Sequence, residues 1–320
     1  MRGVILDAAS LGEDVDLGPV LSLPGRWVCH EATPAPEVAP RIRDAEVVLS
    51  NKVPLVAGSL AAARRLRLVV VMATGTNNVD LSTATQQGVA VCNVRAYASA
   101  SVAQHTMLLL LALARNLLPA ERAARDGSWS RSPFFWVPGH PMIELGNRRL
   151  GIVGHGELGR EVARLARAFG MQVAIAALPG RRYADAEGCP RMAFDEMLPW
   201  ADVISLHCPL SATTRGLIGA PELARMRSTA ILINTARGGI VDEQALLQAL
   251  RAGRLGGAAL DTLECEPPPA DSPLLEAGLP NLIVTPHVAW ASREARQRLV
   301  DQLGEILREF RAGRFMNRVN

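Results

Sequence analysis

Short apolar runs that fit buried strands alternate along this chain with longer stretches whose apolar residues recur at helical spacing. Val4–Leu6, Val47–Leu49, Leu68–Met72 and Ala90–Cys92 predict strands in the first third. These runs are continuous rather than alternating, as in parallel sheets covered on both faces. A long helix is predicted from about Ser101 to Leu118. Its sequence, "VAQHTMLLLLALARNLL", is apolar nearly all round, which places it between domains or subunits. The loop that follows, "WSRSPFFWVPGHPMIEL", fits either a contact surface such as a dimer arm or a loop packed on its own domain.

A second series begins at Arg149 with the strand "RLGIVG", a helix over Leu158–Ala168 and the strand "QVAIA". Further strands are predicted at Val203–Leu206, Ala230–Asn234, Gly257–Leu260 and Leu282–Val284, and a closing helix from about Ser292 to Arg311. Strand and helix alternate throughout, so the fold class is α/β with doubly wound parallel sheets.

Composition narrows the function. The 320 residues are 49% hydrophobic and 20% charged, with a formal net charge of +3, which describes a globular protein close to neutral. No basic cluster is interleaved with aromatics, so nucleic acid is a poor partner. The cysteines, Cys29, Cys92, Cys189, Cys208 and Cys265, are odd in number and lack CxxC spacing, which argues against a disulfide framework or a zinc site. "MRGVILD" reads as a first strand rather than a signal peptide, and the apolar run Met107–Ala114 is too short to span a bilayer. The expected location is the cytoplasm, with no membrane partner.

Chemistry enters at "LGIVGHGELGREVARLARAFG". Gly154, Gly156 and Gly159 form GxGxxG between an apolar strand and an amphipathic helix, the context a dinucleotide fingerprint requires. Gly154 would make the tight turn, Gly156 would admit the pyrophosphate, and Gly159 would let helix and strand pack closely. The N–H groups of Glu157 and Leu158 would face the phosphates at the helix's positive end. The alternative is a glycine turn with no ligand. The next strand, "VAIAALPGRRY", ends in Ala176 and Ala177 where such units commonly carry an acid for the ribose, and Arg181 and Arg182 follow.

Three later stretches place polar residues beyond strand tips, where doubly wound sheets bind ligands. "INTARGGIVDEQAL" carries Arg237, "AALDTLECEPPP" carries Asp261, Glu264 and Glu266, and "NLIVTPHVAWAS" carries His287. An arginine, a carboxylate and a histidine together can bind an anionic 2-oxo acid and protonate its carbonyl oxygen as hydride arrives. Six dispersed histidines offer no metal-ligand spacing.

At these residues the chain resembles the D-isomer-specific 2-hydroxyacid dehydrogenases over essentially its whole length. "VMATGTNNVDL", "VCNVRAYASASVAQHT", "WSRSPFFW" and "TPHVAWASREARQRL" look most like the glycerate dehydrogenase / hydroxypyruvate reductase branch. The resemblance implies a Rossmann coenzyme domain, residues 100–288, inserted into a flavodoxin-like substrate domain of residues 1–99 and 289–320. It also implies an active site in the cleft and a homodimer joined through the coenzyme domain.

By position, the resemblance makes His287 the acid/base, Glu266 its carboxylate partner, with Glu264 the rival, and Arg237 the group that forks onto the substrate. Thr74, Gly75 and Thr76 match the loop whose amides hold the substrate carboxylate, while Asn51 and Lys52 fit either a pocket wall or plain surface. On the coenzyme side, Asp261 matches the acceptor of the nicotinamide carboxamide, with Thr235 and Ala236 beside the ring. Cys208, Pro209 and Thr214 match the stretch along the adenosine.

The expected reaction is NAD(P)H-dependent reduction of hydroxypyruvate and glyoxylate to D-glycerate and glycolate. Family members commonly carry Asp or Glu at the Ala176/Ala177 position. Alanine there, with Arg181 and Arg182 nearby, favours NADP(H) over NAD(H). The alternatives are a D-lactate-type or phosphoglycerate-type dehydrogenase, or a dinucleotide-sensing corepressor-like module. The phosphoglycerate type usually carries a C-terminal regulatory extension, and Glu266 beside the histidine disfavours a formate dehydrogenase.

Overall fold

The computed structural model describes residues 1–139, 141–178 and 188–320, so Arg181 and Arg182 lie outside the described residues. The chain divides into two compact units, Met1–Ala98 with Ala291–Asn320, and Ser99–Trp290.

In the first unit five strands, β1 (Arg2–Ile5), β2 (Arg26–Cys29), β3 (Val47–Ser50), β4 (Leu68–Val71) and β5 (Ala90–Asn93), form a sheet in the order β2-β1-β3-β4-β5. Every pairing is parallel, and the order reverses between β1 and β3, the flavodoxin-like arrangement. β3, β4 and β5 are wholly buried, while β2 lies exposed at the edge. The chain returns to this unit through the helix Arg293–Arg311, whose N-cap Ser292 accepts the Ala295 N–H.

The second unit holds a parallel sheet of β6 (Arg149–Val153), β7 (Gln172–Ala177), β8 (Arg191–Ala193), β9 (Val203–Leu206), β10 (Ile231–Asn234), β11 (Gly257–Leu260) and β12 (Leu282–Val284). The order β12-β11-β10-β9-β6-β7-β8 reverses between β6 and β9, as in a Rossmann sheet. Successive strand residues feed two cores. Leu150, Ile152, Val173 and Ile175 pack with the helices Ser99–Ala114 and Glu157–Ala168. Val153, Ala174, Ala176 and Ile204 pack with the helices Phe194–Trp200 and Glu243–Arg251.

Two elements differ from the sequence reading. The long apolar helix is two, Ser99–Ala114 and Leu117–Arg125, bent by 61°. Asn116 sits between them at φ 48°, a left-handed conformation that asparagine tolerates and that ends the helical ladder. Among the described residues, no single helix is long and apolar enough to cross a membrane. The strands β2 and β8 do not stand out as apolar runs, because each is an edge strand with little buried surface.

Candidate active site

β6 runs through Gly154 and Gly156 into the helix Glu157–Ala168. Gly154 takes φ +101°, and a Cβ there would lie 2.6 Å from the backbone of His207 and Cys208. At Gly159 a Cβ would lie 2.0 Å from the Gly154 carbonyl oxygen. The chain's own packing therefore accounts for both glycines. It does not account for Gly156, where a Cβ would meet nothing within 4 Å. That open space lies at a helix N-terminus whose first amides, including those of Glu157 and Leu158, have no intrahelical acceptor. The cradle fits a diphosphate.

β7 ends in buried Ala176 and half-buried Ala177, and neither offers a carboxylate. Beyond β9, Cys208 is buried and Pro209 exposed. Thr214 is only 1% exposed, and its hydroxyl donates to the Pro209 carbonyl at 2.6 Å and accepts the Ser211 N–H at 2.8 Å. It shapes the turn after Pro209.

His207, just before Cys208, is buried with Nε2 2.8 Å from Ser205 Oγ and no partner for Nδ1 among the described residues. Burial pushes its pKa down to about 4. The imidazole is then neutral in the folded protein, and below pH about 6.5 the unfolded chain takes up a proton that the folded chain refuses. Stability contributed by neutral His207 is expected to fall by about 3 kcal/mol as the pH drops from 7 to 4. Urea unfolding at both pH values checks this: His207→Gln should lose less stability on acidification than wild type, and equal losses would contradict it.

The tip of β10 is built around Asn234, which is 1% exposed. Its side chain accepts the Ala236 N–H at 3.0 Å and donates to the Arg237 carbonyl at 2.8 Å, clamping the turn that presents Arg237. Thr235 is buried against Thr106, Oγ1 to Oγ1 3.0 Å, and Ala236 is buried beside it. Arg237 is half-buried, with Nη1 donating to the Ala236 carbonyl at 2.7 Å. A Cβ at Gly238 would lie 1.9 Å from the Leu263 carbonyl oxygen, so this turn packs directly on the loop after β11.

That loop carries Glu266. Its Oε1 accepts the Leu263 N–H at 2.9 Å, and its Oε2 lies 2.7 Å from His287 Nδ1. Glu264 points elsewhere, to Arg215 Nη1 at 3.0 Å. His287 holds φ 54°, strained for a residue that is not glycine and worth about 1–3 kcal/mol. Nδ1 is the nitrogen engaged with Glu266, which leaves Nε2 for a ligand.

Asp261 pins the strained segment. The carboxylate is 1% exposed. Oδ1 accepts the Thr285 hydroxyl at 2.6 Å and the Val288 N–H at 2.9 Å, and Oδ2 accepts the Ala289 N–H at 2.9 Å. His105 Nε2 stands 3.5 Å from Oδ1 and 3.1 Å from Thr285 Oγ1. Burial by itself would raise the Asp261 carboxyl, but these hydrogen bonds together hold it below the usual aspartate value. Its observed work is to hold the two sides of His287. Ser101 assists by donating to the Ala289 carbonyl at 2.6 Å.

The sequence reading missed His105, Ser101 and Asn234 as parts of this site. The signal for each was a polar side chain inside an otherwise apolar helix or strand.

In the other unit, the Thr74 hydroxyl donates to the Val94 carbonyl at 2.9 Å, and Asn93 donates to the Thr74 carbonyl at 2.7 Å. This anchors a loop in which the amides of Gly75 and Thr76 take no hydrogen-bond acceptor among the described residues. Buried Asp7 accepts the N–H groups of Asn51 and Lys52 at 2.9 and 2.7 Å, so that strand-end loop is also braced.

Comparison with known proteins gives the same fold and chemistry. Residues 107–289 match the family model for the NAD-binding domain of D-isomer specific 2-hydroxyacid dehydrogenases. The chain is 43% identical over 316 residues to a glycerate dehydrogenase from Methylorubrum extorquens, covering 98% of this chain and 97% of that one. It is 36% identical to a hydroxypyruvate reductase from Blautia hydrogenotrophica, covering 100% of each. An NADPH-dependent glyoxylate/hydroxypyruvate reductase from Sinorhizobium meliloti, solved with NADP and malonate, superposes with a TM-score of 0.84 at 29% identity, covering 99% of this chain and 96% of that one. With a glycine cradle, a strand-tip arginine and a glutamate-paired histidine in one unit, and relatives matched over nearly the whole length, the chain belongs to the D-isomer specific 2-hydroxyacid dehydrogenase family.

Proposed function

We propose that this protein reduces small 2-oxo acids, hydroxypyruvate and glyoxylate foremost, to the D-2-hydroxy acids, and runs the reverse reaction, with a nicotinamide coenzyme. The observation that carries the reading is the pairing of His287 Nδ1 with Glu266 Oε2 at 2.7 Å. The names of the relatives from Methylorubrum extorquens and Blautia hydrogenotrophica support the substrate class.

The coenzyme, held by its diphosphate at Gly154, Gly156, Gly159 and the amides of Glu157 and Leu158, supplies the hydride when bound. Arg237 forks onto the carboxylate and carbonyl oxygen of the 2-oxo acid, orienting and polarising the carbonyl. His287 Nε2 gives its proton to the carbonyl oxygen as that oxygen gains negative charge, and takes it back in the reverse direction. Glu266 fixes the ring through Nδ1 and leaves Nε2 facing the substrate. The loop Thr74-Gly75-Thr76 is assigned to the substrate carboxylate through its free amides.

NADP(H) is the preferred coenzyme in this reading, because neither Ala176 nor Ala177 would repel a 2′-phosphate. Arg181 and Arg182 are the residues assigned to that phosphate. The aromatics of the loop after Leu117–Arg125, with Phe135 91% exposed, support a homodimer through the coenzyme-binding unit. The scattered cysteines, without CxxC spacing, fit a cytoplasmic setting.

Initial rates with hydroxypyruvate or glyoxylate and either coenzyme test the proposal. A higher kcat/KM with NADPH than with NADH is expected, and Arg181→Ala with Arg182→Ala should raise the KM for NADPH far more than that for NADH. Equal effects on the two coenzymes would refute the preference.

A further inference from the structure

Glu243 opens the helix Glu243–Arg251, directly after its N-cap Asp242, which accepts the Ala245 N–H. A glutamate in a first turn ordinarily faces water and gains from the helix dipole alone. Here the residue is half-buried, and Oε1 accepts the Glu264 N–H at 2.6 Å. The preceding amide, that of Leu263, goes to Glu266 Oε1 at 2.9 Å. Two successive amides of one loop are therefore held by two carboxylates, and Glu266 is the one that meets His287.

We infer that Glu243 is a positioning residue of the catalytic pair: it holds the Glu264 amide so that Glu266 meets His287. This rests on the roles proposed above for Glu266 and His287. Burial first, and then the Glu264, Glu266 and Asp242 carboxylates, raise the Glu243 carboxyl above the ordinary glutamate value, against the Glu264 N–H, which lowers it. Glu243 and Glu266 thus feel each other's charge. The other charged groups around it are Asp242, its helix's N-cap, Glu264 on the facing loop with Arg215 bound to it, and His287 beyond Glu266.

The split of kcat from KM in 2-oxo acid reduction tests the inference. Glu243→Ala removes the acceptor of the Glu264 N–H and should lower kcat several-fold while the KM for the coenzyme stays near wild type. Glu243→Gln keeps an oxygen for that N–H and should restore most of the wild-type kcat. A wild-type kcat in folded Glu243→Ala, or no rescue in folded Glu243→Gln, overturns the inference. Glu266→Gln, measured alongside, separates the two readings. If it leaves kcat intact, the catalytic-pair reading fails. If it lowers kcat sharply while Glu243→Ala keeps the wild-type kcat, the inference alone fails.

Discussion

His287→Ala is expected to lower kcat for 2-oxo acid reduction by about 10²–10⁴-fold while leaving the Kd for NADPH nearly unchanged. The imidazole offers Nε2 to the substrate, because its Nδ1 is engaged with Glu266. The coenzyme's diphosphate is assigned to the glycine cradle at the end of β6, which His287 does not build. Alanine at φ 54° adds backbone strain of its own. His287→Asn is the better control for folding, since asparagine tolerates the left-handed region. Both variants should bind coenzyme, by fluorescence titration, and neither should turn over substrate. Turnover within a few-fold of wild type in either variant would remove His287 from the mechanism.

Arg237→Lys should raise the KM for the 2-oxo acid and lower kcat/KM by about 10–100-fold, because one bond of a bidentate, charge-assisted pair is lost. Lysine keeps the charge but has no planar fork, so geometry rather than charge is what this substitution removes. The Asn234 clamp bonds the backbone at Ala236 and Arg237 and survives the change, so the turn itself is expected to hold. The KM for NADPH should move much less. Steady-state kinetics in both substrates resolve the two, and an unchanged 2-oxo acid KM would contradict the assignment.

Much of this was legible in the residues. Strands buried on both faces read as continuous apolar runs, so β3, β4, β9, β10 and β11 stand out. The chemistry sits beyond strand tips, so Arg237, Glu266 and His287 could be placed at one end of a sheet from order alone. What stayed hidden depends on where side chains point after the chain folds. The bonds of Asp261 to the His287 segment and of Thr214 to the Pro209 turn are of this kind. Asn116 breaks an apolar helix that composition alone would continue, because its conformation rather than its polarity makes the bend. Glu243 reads as an ordinary first-turn acid, and its bond to the Glu264 amide exists only once two loops pack together at Gly238.

Arg237, Glu266 and His287 are assigned to a D-specific reduction of a small 2-oxo acid. Following hydroxypyruvate reduction with NADPH to completion and resolving the configuration of the glycerate formed tests that assignment. D-glycerate is expected, in amounts equal to the NADPH consumed. L-glycerate, or no NADPH oxidation with either hydroxypyruvate or glyoxylate, would contradict it.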